Sequence, residues 1–140
     1  MSEENKAVVR RFYESFGSDL DTVKEVLAPD LVGYSHARPG PQARDEHLQG
    51  IAMWNESFET RFDIEEQLAE GDRVATRVTM RAVHNRGEFM GVPPSGKEIV
   101  TTGISIERIK DGRIVHRRVE SDWLGLMQQL GLIPAPQPVS

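Results

Sequence analysis

The sequence predicts an α+β domain in which N-terminal helices pack against a strongly curved, mostly antiparallel sheet. Apolar residues recur at helical spacing through about the first 58 residues, whereas long alternating segments follow from about residue 62. The pairs Gly71-Asp72 and Asp111-Gly112 divide those segments into hairpins. A curved sheet with helices across one face forms a cone, and the open mouth of a cone suits a small apolar ligand.

The first helix is predicted over about residues 3–16, where one face carries Val8, Val9, Phe12 and Phe16. We expect this helix to end at Gly17. The second helix is predicted over about residues 20–27, with Asp19 or Asp21 as its N-cap, and Pro29 ends it.

The next part of the chain combines a short strand, a turn and a third helix. The strand is predicted at residues 31–35, and Arg-Pro-Gly-Pro at residues 38–41 is typical of a turn. The helix is predicted over about residues 44–58, with Ile51 facing inward and His47 facing solvent.

The rest of the chain is predicted as strands at about residues 62–69, 73–84, 98–110 and 113–122. In the second of these, Val74, Thr76 and Val78 alternate with charged residues such as Arg77. A short helix over about residues 124–130 closes the domain. We expect one domain over residues 1–133 and a Pro-rich tail over residues 134–140.

Composition excludes several classes of function. A net charge of −5 argues against non-specific nucleic-acid binding, which needs a basic surface. The chain has no cysteine, so disulfides, thiolate metal sites and a cysteine nucleophile are excluded. No apolar run approaches the roughly 20 residues of a membrane span, and the first residues lack the apolar core of a signal peptide. We therefore expect a cytoplasmic protein without membrane association.

The last predicted strand carries the clearest chemistry. Because side chains alternate along a strand, one face would carry Ile114, His116, Arg118, Glu120 and Asp122, if no bulge intervenes. Asp122 lies at the end of the strand, directly before Trp123 and an apolar helix. A carboxyl group held beside apolar side chains is a reasonable general acid/base.

Histidines and aromatic residues supply the remaining candidates. His84 lies at the end of a long strand, and His36 in a predicted loop. The four histidines show no metal-ligand spacing, and Walker and Gly-x-Ser-x-Gly motifs are absent, so we expect no metal and no nucleotide. Candidate pocket residues are Trp54, Phe58, Phe89 and Met90.

Three stretches give the chain a family resemblance. They comprise residues 11–14 with 26–30, residues 69–75 with 87–97, and residues 111–115 with 122–131. With them the chain resembles the SnoaL-like polyketide cyclases, also called ester cyclases, of the NTF2-like superfamily. The resemblance covers nearly the whole chain. It departs from the family pattern at Arg118, where many members have Trp, and at residues 82–84, where many have Gly-Thr-His.

The resemblance implies an NTF2-like cone-shaped barrel, usually dimeric, that closes a ring of an aromatic polyketide by intramolecular aldol addition without metal or organic cofactor. It matches the family's acid/base aspartate to Asp122. We take Asp122, His84 and Arg118 as catalytic candidates. The candidates for substrate binding are His36, Trp54, Phe58, Phe89, Met90, His116, Glu120 and Trp123.

The residues leave other functions open. Arg118 between Glu120 and Asp122 would suit an epoxide hydrolase, in which carboxylates bridged by arginine activate water. Relatives on this backbone hydroxylate substrates or only bind small molecules, and fold does not fix function. We expect a small hydrophobic substrate and a homodimer, because the long strands carry apolar residues on both faces, such as Ile104 and Ile109.

Overall fold

Four helices pack against one sheet in the computed structural model, which describes residues 2–36 and 38–136. Residues 137–140 of the predicted Pro-rich tail lie outside the described residues. The helices are α1 (Ser2–Ser15), α2 (Leu20–Val26), α3 (Arg44–Ser57) and α4 (Trp123–Leu130). The strands are β1 (Leu27–Ser35), β2 (Arg38–Gln42), β3 (Glu59–Glu70), β4 (Arg73–Val83), β5 (Glu98–Lys110) and β6 (Arg113–Ser121).

The six strands of the described residues form one open mixed sheet in the order β2-β1-β6-β5-β4-β3. Only the β1–β6 pair is parallel, and the other pairs are antiparallel. Helix α1 packs across the inner face of the sheet, against β3 to β6. This arrangement confirms the predicted α+β class and the NTF2-like cone.

Helical and strand periodicity place the core between α1 and the sheet. Val9 and Phe12 on α1 are fully buried against Val74 and Val78 of β4. A second apolar cluster forms where α4 packs, and its fully buried side chains include Phe58 and Ala82. The N-cap of α2 is Asp19, whose carboxylate accepts a hydrogen bond from the Thr22 N–H at 3.1 Å.

The turn predicted at residues 38–41 is wrong, because these residues form the strand β2, antiparallel to β1. Proline cannot donate to a sheet ladder, which argues against a strand in the middle of a sheet. β2 is an edge strand with a neighbouring strand on one side only, so the missing N–H groups of its prolines are tolerated. The turn residues in the sequence therefore mark a sheet edge here.

A bulge in β6 overturns the predicted face of the last strand. Ile109 pairs with Ile114, whereas the preceding Arg108 pairs with His116, so Val115 is an extra residue in β6. One extra residue exchanges the faces of every later side chain. His116, Arg118 and Glu120 therefore lie on the outer face, and the inner face carries Arg117, Val119 and Ser121.

Candidate active site

A cavity of about 180 Å³ lies between the inner face of the sheet and helices α1, α3 and α4. Much of its wall is apolar and includes Phe16, Ile51, Trp54, Phe62, Met80 and Leu126. An apolar cavity of about 150 Å³ binds benzene. The cavity is therefore large enough for an aromatic ring, and the rest of a larger molecule would extend through the open mouth.

Asp122 lies at the mouth of this cavity, at the junction of β6 and α4. Its carboxylate caps α4 by accepting the Gly125 N–H at 2.9 Å, and its own N–H donates to the Thr102 carbonyl at 3.0 Å. A Cβ atom on Gly125 would collide with this carboxylate, so glycine there leaves room for it. Asp122 is exposed, and it is the only carboxylate among the described residues that line the cavity.

His36 and Trp123 share the mouth with Asp122. The two rings stack with centroids 6.1 Å apart. His36 Nε2 accepts the Ser121 N–H at 3.3 Å and lies 3.4 Å from Glu120 Oε2. The mouth thus combines a carboxylate, an imidazole and an aromatic wall, which is a suitable combination for proton transfer next to a conjugated ligand.

The opposite, buried end of the cavity rests on a chain of hydrogen bonds that an ion pair closes into a ring. Arg117 Nη2 donates to the Tyr13 hydroxyl at 3.1 Å, and that hydroxyl lies 2.6 Å from Ser105 Oγ. Ser105 donates its only proton to Glu107 Oε1 at 3.0 Å, so Tyr13 must donate to Ser105. Glu107 Oε2 closes the ring 2.9 Å from Arg117 Nε. All four residues are buried.

His47 extends this network towards β1 and β2, and its contacts define its tautomer. Arg117 Nη1 lies 3.3 Å from His47 Nε2, and arginine only donates, so Nε2 carries no proton. Nδ1 therefore donates to Gln42 Oε1 at 3.1 Å, and Gln42 Nε2 donates to Ser35 Oγ at 3.1 Å. His47 is buried, so the prediction that it faces solvent is wrong.

Burial sets the protonation of this end of the cavity. Burial, together with the Arg117 charge, lowers the pKa of His47 to about 3. Burial also raises the pKa of Glu107, and Arg117 opposes that rise. The pKa of Tyr13 is raised by burial as well, so its phenol keeps its proton. At neutral pH His47 is therefore neutral and Tyr13 keeps its phenolic proton.

The pH dependence of stability should report the buried, neutral His47. The unfolded chain protonates this histidine below its ordinary pKa of 6.5, while the folded protein resists protonation down to about 3. Unfolding therefore takes up a proton, and stability falls as the pH drops through this window. Between pH 7 and pH 5 we expect this proton uptake to lower the free energy of unfolding by about 2 kcal/mol.

His47→Gln keeps an acceptor for Arg117 and a donor for Gln42 but cannot titrate. Urea unfolding at pH 7 and pH 5 should therefore show a smaller loss of stability in this variant than in the wild type. Equal losses in both proteins would contradict the neutral assignment of His47.

Four of the residues predicted from the sequence line the cavity: His36, Trp54, Asp122 and Trp123. Phe58, Phe89 and His84 do not line it. They pack beside it, where Phe58 stacks on His84 with ring centroids 4.7 Å apart and contacts Phe89 edge to face. His84 Nε2 lies 2.7 Å from the Gly87 carbonyl, and Met90 is an exposed loop residue.

His116, Arg118 and Glu120 lie on the outer face of the sheet, because the extra residue Val115 reverses the faces of the later side chains in β6. The Arg118 guanidinium lies over the Tyr34 ring, 4.0 Å from its centroid. His116 lies in a shallow depression with Arg118, Arg73 and Arg108. Partial burial, followed by these positive charges, lowers the pKa of His116. Arg118 therefore cannot bridge Glu120 and Asp122 inside the cavity.

Sequence reasoning missed the buried residues Tyr13, Gln42, His47, Glu107 and Arg117. One signal was available, because the alternation of β5 puts Glu107 in phase with the buried Ile99 and Ile109. A carboxylate at an inward position predicts a buried cation. Arg117 is its register partner on β6.

The comparisons with known proteins place the chain in a family. The family model for SnoaL-like polyketide cyclases matches residues 7–130. The chain belongs to the SnoaL-like polyketide cyclase family. This confirms the resemblance found in the sequence. Comparison with curated proteins returned no match.

Solved structures of similar fold include two from Streptomyces. IdmH of Streptomyces antibioticus, a proposed polyketide cyclase, is 33% identical with a TM-score of 0.80, covering 91% of this chain and 98% of IdmH. AclR of Streptomyces galilaeus, a proposed hydroxylase, is 27% identical with a TM-score of 0.88, covering 98% of this chain and 87% of AclR. A proposed SnoaL-like cyclase from Jannaschia shares the fold, with 22% identity, a TM-score of 0.82 and 95% coverage of each chain.

The described helices are all too short or too polar to cross a bilayer.

Proposed function

We propose that this SnoaL-like protein closes a ring in a polyketide-like conjugated carbonyl substrate by intramolecular aldol addition, with Asp122 as general acid/base and no cofactor. The observation that carries the proposal is a single carboxylate at the mouth of a largely apolar cavity, held by the N-terminus of α4. The family match and the likeness to IdmH support the same chemistry.

The reaction needs one proton acceptor that later acts as a donor. Asp122 removes a proton from the carbon between two carbonyl groups and leaves an enolate. The enolate carbon attacks a second carbonyl carbon of the same molecule, so a carbon–carbon bond forms and the carbonyl π electrons move to oxygen. The protonated Asp122 then returns its proton to this alkoxide, and the substrate and product are isomers.

General acid/base action of this kind contributes about 10²- to 10⁴-fold to the rate. The apolar walls hold the flexible substrate in a folded conformation. This brings the two reacting carbon atoms close together and raises the rate further. His36 and Trp123 contact each other beside Asp122 and are placed to bind the conjugated part of the substrate.

The likeness to AclR favours hydroxylation as the second candidate. Product mass separates these reactions in one assay with an aromatic polyketide keto-ester as substrate. Ring closure leaves the mass unchanged, hydroxylation adds one oxygen atom, and epoxide opening adds one water. Chromatography with mass detection should show an isomer of the substrate, and a product one oxygen heavier would favour hydroxylation.

We also propose a homodimer formed through the outer face of the sheet. On this face Ile104 and Ile106 are each 51% exposed on β5, and Leu68 is exposed on β3. Exposed branched apolar residues in one patch favour association. Changing Ile104 and Ile106 together to Glu should therefore give a folded monomer in sedimentation equilibrium at micromolar concentration.

Met53→Glu is the matched control for the dimer, because Met53 is 66% exposed but lies on helix α3. This variant should stay dimeric. A wild-type protein that is monomeric at the same concentration would contradict the proposed dimer.

A further inference from the structure

The buried end of the cavity holds hydrogen-bond donors that the protein itself does not use. A guanidinium carries five N–H donors. Arg117 Nη2 donates to Tyr13 and Nη1 to His47, while Nε forms an ion pair with Glu107, so each Nη keeps a second N–H with no hydrogen bond to the described residues. Arg117 is one of the residues that line the cavity.

The neighbouring hydroxyls and the imidazole have no proton to offer. The Tyr13 proton goes to Ser105, the Ser105 proton goes to Glu107, and the His47 Nδ1 proton goes to Gln42. The Gln42 amide gives one N–H to Ser35 and keeps a second. Of the residues in this network, Arg117 and Gln42 therefore keep N–H donors for a ligand.

The guanidinium is also held rigidly. It lies over the Phe12 ring, 4.4 Å from the centroid, while Glu107 and Tyr13 hold its edges. Donors fixed in a dry site bind a charged oxygen without reorganisation, and hydrogen bonds to charged groups are the stronger ones. An arrangement of this kind is suited to an oxyanion.

We propose that Arg117, assisted by Gln42, forms an oxyanion subsite that selects planar substrates carrying an ionised enol or phenol oxygen and binds them with that oxygen innermost. The proposal rests on the proposed function, since it names the substrate class for the same cavity. Five residues of extended chain separate Arg117 from Asp122, or about 16 Å between Cα atoms. That separation leaves room for a fused-ring substrate, with its reacting carbon near Asp122 at the mouth.

Two small naphthoquinones test the subsite without any turnover. 2-Hydroxy-1,4-naphthoquinone is a vinylogous acid that is ionised at neutral pH, and its 2-methoxy analogue has the same rings but no charge. Isothermal titration calorimetry at pH 7 should show the ionised compound binding about 10- to 100-fold more tightly to the wild-type protein. Equal affinity for the two compounds would overturn the proposal.

Paired variants assign the preference to this subsite. The double variant Arg117→Met/Glu107→Gln removes both buried charges, so neither is left unpaired, and it should lose the preference for the ionised compound. Arg118→Gln removes one positive charge from the outer face of the same strand and should keep the preference. A preference that survives in the double variant, or that disappears in Arg118→Gln, would place the anion elsewhere and overturn the proposal.

This binding test is independent of the proposed reaction. If the protein does not catalyse ring closure, the two quinones should still bind with different affinities. If the two quinones bind equally, the oxyanion subsite is wrong, and the catalytic role of Asp122 is still tested separately by turnover.

Discussion

Asp122→Asn should lower kcat for ring closure by about 10²-fold or more with little change in KM, because the amide cannot accept the substrate proton. Asparagine is as good an N-cap as aspartate, so the hydrogen bond from the Gly125 N–H is retained. The substitution therefore keeps the shape of the mouth and the start of α4. The measurement is steady-state kinetics on a substrate that the wild-type protein cyclises.

Asp19→Asn is the matched control for this experiment. Asp19 is also an exposed helix N-cap, and it accepts the Thr22 N–H at 3.1 Å, but it caps α2 and does not line the cavity. Its replacement should leave kcat unchanged. If Asp122→Asn retained near-normal kcat, Asp122 would not be the base, and His36 would be the next residue to replace.

Local patterns explain why much of the fold could be predicted from the sequence. The helical spacing of Val9 and Phe12, and the alternation in β4, depend on neighbours within a few residues. Strand β5 begins and ends at the predicted residues 98 and 110. Asp122 could be found because it lies where a strand pattern gives way to an apolar helix, which is itself a local signal.

Several contacts at the buried end of the cavity join residues far apart in the chain, such as Tyr13 with Ser105 and His47 with Arg117, and local periodicity does not reveal them. The extra residue Val115 is visible only in the register of β6 against β5. Without the bulge, Arg118 would face inward; with it, Arg117 does. His47 lies on a helix of weak amphipathic pattern, and its burial follows from its contacts with Gln42 and Arg117. His47 lies four residues before the buried Ile51, so the helical period puts it on the inward face of α3, but this spacing does not identify its partners.

Arg117→Met should destabilise the protein by about 3–5 kcal/mol, because it leaves the Glu107 carboxylate buried without its cation. The double variant Arg117→Met/Glu107→Gln removes both charges, and it should recover most of that loss, since a neutral pair of similar volume carries no unpaired charge. Urea unfolding at pH 7 measures the free energy of unfolding of both variants. The double variant should be the more stable of the two.

An exposed ion pair supplies the comparison for this measurement. Arg77 Nε lies 2.9 Å from Glu66 Oε1, the same separation as in the buried pair, but both side chains are about half exposed. Water already solvates these charges, so Arg77→Met should change the free energy of unfolding by less than about 1 kcal/mol. Should Arg117→Met cost no more than Arg77→Met, the carboxylate of Glu107 would have to be neutral in the folded protein.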